Sequence, residues 1–191
     1  MMKHSGTVNL ETERLILRPL TMNDAEAAHK NWMGDENVTE FLRWKTHACI
    51  DETREVLSKW SESYRHPDFY LWGIVPKDLG EPIGCISAVR IDESVDMIEI
   101  GYCIGSQWWG QRYVPEALSQ LLNFFFNRVE ALRVEARHDP NNKKSGRVMK
   151  KCGMIYEGTL RGASRNNQGI VDACVYGILK EDYDRITEFL T

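Results

Sequence analysis

Residues 97–129 constrain the fold of this 191-residue chain more than any other stretch. From Met97 to Ile104 the side chains alternate, so a strand puts Ile98, Ile100, Tyr102 and Ile104 on one face and Glu99, Gly101 and Cys103 on the other. After Gly105-Ser106-Gln107-Trp108-Trp109-Gly110-Gln111 the pattern becomes helical over 112–129. Apolar residues at 114, 117, 118, 121, 122 and 125 follow the i, i+3, i+4 spacing of a helix lying on a sheet. Pro115 and Glu116 suit its first turn, where proline loses no intrahelical bond and a carboxylate meets the positive dipole end. A strand that enters a helix through a glycine turn aims unpaired backbone N–H groups at one point. The junction is therefore either a plain connection or an anion site, for which a pyrophosphate is the natural occupant.

The rest of the chain falls into place around this unit. Leu15-Ile16-Leu17 reads as a short strand ending at Pro19, and Thr21-Met22-Asn23-Asp24 offers cap chemistry for a helix to about Trp32. A second helix starts near Asp51 and stops before Pro67. Strands are expected over 69–75, 83–91 and 97–104 as a meander, then over 132–136, then a helix over 142–152 halted by Gly153. Strands over 154–160 and 170–179, around a turn region at 162–169, close the chain. Without repeats, low-complexity tracts or a linker, one domain is expected over 1–191, with residues 1–9 a loose extension.

Charge and cysteine usage exclude several classes. With 24 Lys and Arg against 28 Asp and Glu, the net charge of −4 lacks the broad positive field of a nucleic-acid binder. Hydrophobic residues at 42% and charged residues at 27% exclude disorder. The five cysteines are odd in number and widely spaced, with no CxxC pair and no histidine cluster, so neither a metal site nor a disulfide framework is expected, and a reducing cytoplasm fits best. The most apolar run, Leu121 to Phe126, is interrupted by Asn123 and too short to span a bilayer, and the N-terminal residues hold no apolar signal core. Neither membrane insertion nor secretion is expected.

Gln107-Trp108-Trp109-Gly110-Gln111-Arg112 resembles the cofactor motif of the GNAT superfamily of N-acetyltransferases: Gln or Arg, two residues, Gly, one residue, then Gly or Ala. The match holds through Gly110 and departs at Arg112. Asn142-Lys143-Lys144-Ser145 with Arg147 to Met154, then Glu157-Gly158 and Asp172 to Tyr183, resembles the Rim-type ribosomal-protein N-acetyltransferase branch. So does the opening Leu10-Glu11-Thr12-Glu13-Arg14-Leu15-Ile16-Leu17-Arg18-Pro19-Leu20, and the resemblance covers about residues 10–185. It implies an α/β (α+β) GNAT-like fold, a mixed, mostly antiparallel sheet splayed at a cleft for acetyl-CoA, with helices on both faces. It further implies that Tyr102, Cys103 and Ile104 offer a strand edge to the pantetheine. Gln107, Gly110, Gln111, Arg112 and Tyr113 then surround the pyrophosphate, while Asn142 and Ser145 approach from the second helix. Arg112 either bonds a phosphate through its guanidinium or faces solvent.

Acetyl transfer to an amine needs a neutral nucleophile, an oxyanion donor and a proton for the departing thiolate. A lysine of pKa about 10.4 needs roughly 4–5 kcal/mol to become neutral at pH 7, an α-amine only about 1 kcal/mol. Glu99, beside the space left by Gly101, is the candidate general base; its alternative is a structural partner for a neighbouring strand's arginine. Glu157 is the second candidate. Many relatives carry a tyrosine on the 142–152 helix as proton donor; this chain has none there and offers Ser145, while Asn142 caps the same helix. Cys103, Cys152 and His138 read as packing or strand-end residues. Acceptor recognition is expected from 32–72, where Trp32, Trp44, Trp60, Tyr64 and Trp72 supply aromatic walls and Asp35, Glu36, Glu40 and Asp51 supply negative charge for an amine. The expected acceptor is a protein N-terminal α-amine, of ribosomal-protein type. The alternatives are a small amine such as an antibiotic or polyamine, or a coenzyme A-binding module without turnover. Monomer and homodimer are both compatible.

Overall fold

Hydrophobic alternation builds eight strands: β1 (Leu10–Glu11), β2 (Leu15–Arg18), β3 (Leu71–Pro76), β4 (Gly84–Asp92), β5 (Met97–Ile104), β6 (Arg133–His138), β7 (Ile155–Asn166) and β8 (Gly169–Leu179). In the computed structural model, which describes residues 1–188, they form one sheet in the order β1-β2-β3-β4-β5-β6-β8-β7. Every neighbouring pair is antiparallel except β5–β6. That parallel pairing runs only from Met97↔Arg133 to Ile100↔Ala136. Beyond it β5 stays with β4 as far as Gly84↔Ile104, whereas β6 follows β8 through His138↔Cys174. The two strands part there, and the free edge of residues 101–104 borders a wedge-shaped gap.

Helices cover both faces. On one lie α4 (Tyr113–Phe124), extended by a π-turn over Phe125–Val129, and α5 (Lys143–Lys151). Ala117, Leu118, Leu121 and Phe125 pack with Ile98 and Ile100 in a core that also holds Tyr70, Trp72 and Phe126. The other face carries α1 (Ala25–Ala28), a π-turn over His29–Met33, α2 (Glu36–Thr39) and α3 (Ile50–Ser63), around Leu20, Trp32, Met33, Leu57 and Leu71. A last helix, α6, spans Lys180–Glu188. The alternation of β5 thus divides Ile98 and Ile100 from Cys103, as the two-residue period requires.

Three expectations need correction. Residues 1–9 are docked, not loose: Met2 is buried, Lys3 N donates to Val129 O at 2.7 Å, Gly6 N to Pro67 O at 2.7 Å, and Trp72 Nε1 to Val8 O at 2.6 Å. The expected 162–169 turn region is mostly strand, because β7 and β8 continue to Asn166↔Gly169. The helix expected from Thr21 is a composite of a 3-10 turn (Met22–Asp24), α1 and a π-turn. Asp24 anchors its start, accepting from Thr21 N at 2.7 Å and from both Arg18 terminal nitrogens at 2.8 Å.

Candidate active site

The strand-to-helix junction is built as an anion cradle. Gly110 (φ 82°) and Arg112 (φ 65°, ψ 14°) both lie in the left-handed region, and Arg112 is the N-cap of α4. Among the described residues, no carbonyl accepts from the N–H groups of Gly110, Gln111, Arg112, Tyr113 or Val114. Those donors therefore remain available to a ligand at a positive helix end. The loop is pinned from behind by Arg14, a residue with no sequence signal for this role. Its Nε donates to Glu116 Oε2 at 2.7 Å, one terminal nitrogen donates to Gln111 O at 3.1 Å, and its guanidinium covers the Tyr113 ring at 4.6 Å. Burial alone would raise the Glu116 carboxyl, but hydrogen bonds from Thr12 and Arg14 outweigh it and hold the group below the usual carboxylate range.

The cradle opens into a cleft of about 720 Å³ lined by Tyr102, Cys103, Ile104, Gly110, Arg112, Tyr113, Asn142 and Ser145, eight of the residues expected on the cofactor. Lys143, Lys144, Arg147 and Lys151 also line it. Lys143, Arg147 and Lys151 recur at i, i+4 and i+8 on α5, a basic stripe that was readable in the sequence. The side chains of Gln107 and Gln111 are directed elsewhere. Neither side chain lines the cleft; both are exposed, and Gln111 Nε2 donates to Gln107 O at 3.0 Å.

A second cavity, of about 230 Å³, lies on the other side of the gap and includes Glu99, Gly101, Arg137, Asp139 and Asn166 in its wall. Phe41, Leu42, Tyr102, Cys103, Asn142 and Ser145 line both cavities, so they mark the passage between them. Asn142 caps α5 by accepting from Ser145 N at 3.3 Å. Tyr102 Oη lies 2.9 Å from Ser145 Oγ and donates to Ser145 O at 3.0 Å. Burial pushes the Tyr102 phenol well above its usual range, so it keeps its proton. A strand tyrosine thus reaches the helix position where the sequence showed only a serine.

Glu99 stands in the second cavity as the end of a charge ladder. Its Oε2 lies 3.5 Å from Arg90 Nε and 3.6 Å from Arg137 Nε; Arg137 Nε is 2.7 Å from Glu135 Oε1, and Arg133 joins Glu135 to Glu157. A β-bulge between Ala88 and Arg90 brings Arg90 opposite Glu99. Glu157, the second candidate base, lines neither cavity: Arg133 Nη1 donates to it at 2.7 Å, and that hydrogen bond holds it below the usual carboxylate range.

The acidic residues expected to greet an amine are engaged elsewhere. Asp35 accepts from Ser106 Oγ at 2.5 Å, Glu40 from Gln168 Nε2 at 2.9 Å and Asp51 from Arg54 at 3.0 Å; these three and Glu36 lie outside the second cavity. Of the five aromatics only Trp44 lines it, while Trp32 and Trp72 are fully buried. Cys103 Sγ touches Cys85 Sγ at 3.5 Å, and that contact together with burial raises the Cys85 thiol. His138 ends β6, its Nδ1 2.7 Å from Asp139 O and its ring beside Tyr176. Among the described residues no helix is long and apolar enough to cross a membrane, and no group of three His, Cys, Asp or Glu is placed to hold a metal.

A splayed sheet, an anion cradle at a strand-to-helix junction and a cleft that continues into a second cavity define an acyl-transfer architecture. Residues 14–155 match the family described as "Acetyltransferase (GNAT) domain", and the chain belongs to that family of acyltransferases, whose members use acetyl-CoA. It is 31% identical over 171 residues to the uncharacterized N-acetyltransferase YoaA of Bacillus subtilis, covering 90% of this chain and 96% of that one. Similarity to the [ribosomal protein uS5]-alanine N-acetyltransferase of Escherichia coli is 24% over 155 residues, 79% of this chain and 80% of the other. Among solved structures, the microcin C7 self-immunity acetyltransferase MccE, in complex with acetyl-CoA and AMP, superposes with a TM-score of 0.79 at 20% identity, over 88% of this chain and 93% of that one, a likeness of fold.

Proposed function

We propose that this protein acetylates the N-terminal α-amine of a protein, drawing the acetyl group from acetyl-CoA held in the larger cleft. The observation that carries the reading is the passage at Ser145 and Tyr102, where two hydroxyls face the boundary between a cationic cleft and a separate cavity. The likeness to the uS5-alanine acetyltransferase supports the acceptor class.

The residues present fit the cofactor. Free N–H groups at 110–114 and the cations Arg112, Lys143, Lys144, Arg147 and Lys151 suit its phosphates, and the unpaired edge of β5 suits its amides. Bound acetyl-CoA supplies an acetyl thioester. Ser145 Oγ gives its proton to the leaving sulfur and regains one from water in the cleft, while Tyr102 Oη, 2.9 Å away, keeps its own proton and orients the Ser145 hydroxyl. Glu99, across the passage, receives the proton of the attacking amine through water, with Arg90 and Arg137 keeping its carboxylate in place. An α-amine asks little of such a base, since about one-tenth is already neutral at pH 7.

The test is thiol release from acetyl-CoA with a panel of short peptides of varied N-terminal residue, beside polyamines and aminoglycosides. Turnover with peptides whose α-amine is free, and none with the same peptides blocked, is expected. Turnover confined to small amines overturns the acceptor assignment, and binding without any turnover overturns the enzyme reading. Glu99→Gln is expected to lower kcat/KM by roughly 10²–10⁴ and steepen its pH dependence. A lower melting temperature with activity retained makes Glu99 structural.

A further inference from the structure

The second cavity holds more positive charge than its own carboxylates use. Glu99 and Arg137 satisfy one another within the ladder. Asp139 is buried and engaged, accepting from Asn166 Nδ2 at 2.8 Å and from Asn141 N at 2.8 Å. Arg43 and Arg165 also line this cavity, and among the described residues neither guanidinium has a hydrogen bond or ion pair within the chain. Both are exposed, whereas Arg14, Arg18, Arg90, Arg133 and Arg137 all have carboxylate partners.

Their positions are built rather than incidental. Arg43 lies between Leu42 and Trp44, whose carbonyls accept from Asn167 N at 3.0 Å and Asn167 Nδ2 at 2.7 Å. The same Nδ2 reaches Thr39 O at 2.8 Å. Asn167 is at the tip of the β7–β8 hairpin, two residues after Arg165, and the Asn166–Asp139 bond fastens that hairpin to the end of β6. One clamp therefore sets two uncommitted guanidiniums, far apart in sequence, into the wall of the same cavity. Phe41 and Leu42 reach from the clamped loop to the passage.

We infer that Arg43 and Arg165 select acceptors that carry a carboxylate close behind the reactive amine, namely peptides with Asp or Glu in the residues that follow the first. The inference rests on the peptide-acceptor reading above and narrows it. An amine at the Ser145 passage leaves the following residues in the cavity, where a side-chain carboxylate meets two guanidiniums that have no ion pair or hydrogen bond among the described residues. A free amino acid offers the same chemistry through its α-carboxylate, so the experiment includes that source.

The full chain is assayed with acetyl-CoA and pairs of peptides that differ only by Asp or Asn at the second and third positions, beside free amino acids and their amides. The Asp peptides are expected to show kcat/KM about tenfold higher, expressed in KM, with the advantage shrinking at high salt. In the Arg43→Gln/Arg165→Gln double variant the Asp-to-Asn ratio is expected to fall close to one, with the melting temperature reporting that the fold is intact. Equal rates for the two peptides overturn the inference while the peptide reading stands, and so does a preference that survives in the double variant. Free amino acids outpacing every peptide overturns the inference in favour of a small acceptor. Silence toward all peptides overturns both readings.

Discussion

Replacing Arg112 by glycine is expected to stabilise the protein while weakening its hold on acetyl-CoA. Arg112 adopts φ 65° and ψ 14° at the N-cap of α4, a conformation that brings a Cβ close to the following carbonyl. For a residue other than glycine this costs roughly 1–2 kcal/mol. Glycine removes that strain but brings a more flexible unfolded chain, worth about 0.5–1 kcal/mol in the opposite direction. The net gain is about 0.5–1 kcal/mol, or a rise of about 1–4 °C in melting temperature for a chain of this size. The arginine side chain has no hydrogen bond or ion pair within the chain among the described residues, so no polar interaction is lost. Its charge does line the larger cleft, and removing one partly solvated cation from the proposed phosphate site is expected to raise the Kd for acetyl-CoA about two- to fivefold. Thermal denaturation followed by circular dichroism and calorimetric titration give the two numbers. Arg112→Ala is the control: it loses the cation but keeps a Cβ in the left-handed region, so affinity falls and stability does not rise. An alanine variant as stable as the glycine one, or a glycine variant less stable than the parent, refutes the strain argument.

Gly110→Asp places a carboxylate in the cradle at φ 82°, and calorimetry is expected to show acetyl-CoA affinity reduced more than tenfold; unchanged affinity removes the cofactor from this junction. Tyr102→Phe leaves Ser145 Oγ without its phenol partner and is expected to lower kcat about tenfold or more with little change in the KM for acetyl-CoA, a split that steady-state kinetics resolves. Asn166→Ala strips the buried Asp139 carboxylate of a donor and is expected to destabilise the fold by about 1–3 kcal/mol in denaturant titration. Acid sensitivity follows from Glu116 and Asp24, whose hydrogen bonds outweigh burial and hold both below their usual values of 4.5 and 3.8. The stability they contribute is complete above those values and is lost as the pH falls through the lower, folded ones. A Glu116→Gln variant is therefore expected to show a shallower loss of melting temperature below about pH 4, and an unchanged acid limb excludes the clamp as its source.

Much of the architecture is encoded in short-range pattern. The two-residue period of Met97–Ile104, the helical spacing after Gly110 and the Asn142 cap each depend on residues a few positions apart, and each yielded its element and its share of the lining of the larger cleft. The departure at Arg112 was visible too, though its cost became definite only with a backbone angle. What the sequence did not disclose is every relation that the sheet order creates. Arg14 meets Glu116 because β2 begins beside the start of α4, Glu99 meets Arg137 because β5 and β6 are parallel neighbours, and Tyr102 meets Ser145 because β5 and β6 part where α5 begins. Residues 1–9 are held by groups at 67–72 and at 129, which no local propensity encodes. The acceptor side shows the limit most clearly: the acidic residues near 35–51 suggested an attraction for amines, yet the fold engages three of them elsewhere and sets Arg43 and Arg165 in the wall of the second cavity instead. Periodicity and capping act over a few residues, so a sequence can specify them directly. A charge's partner is chosen by which strands lie side by side, and only the packed sheet decides that.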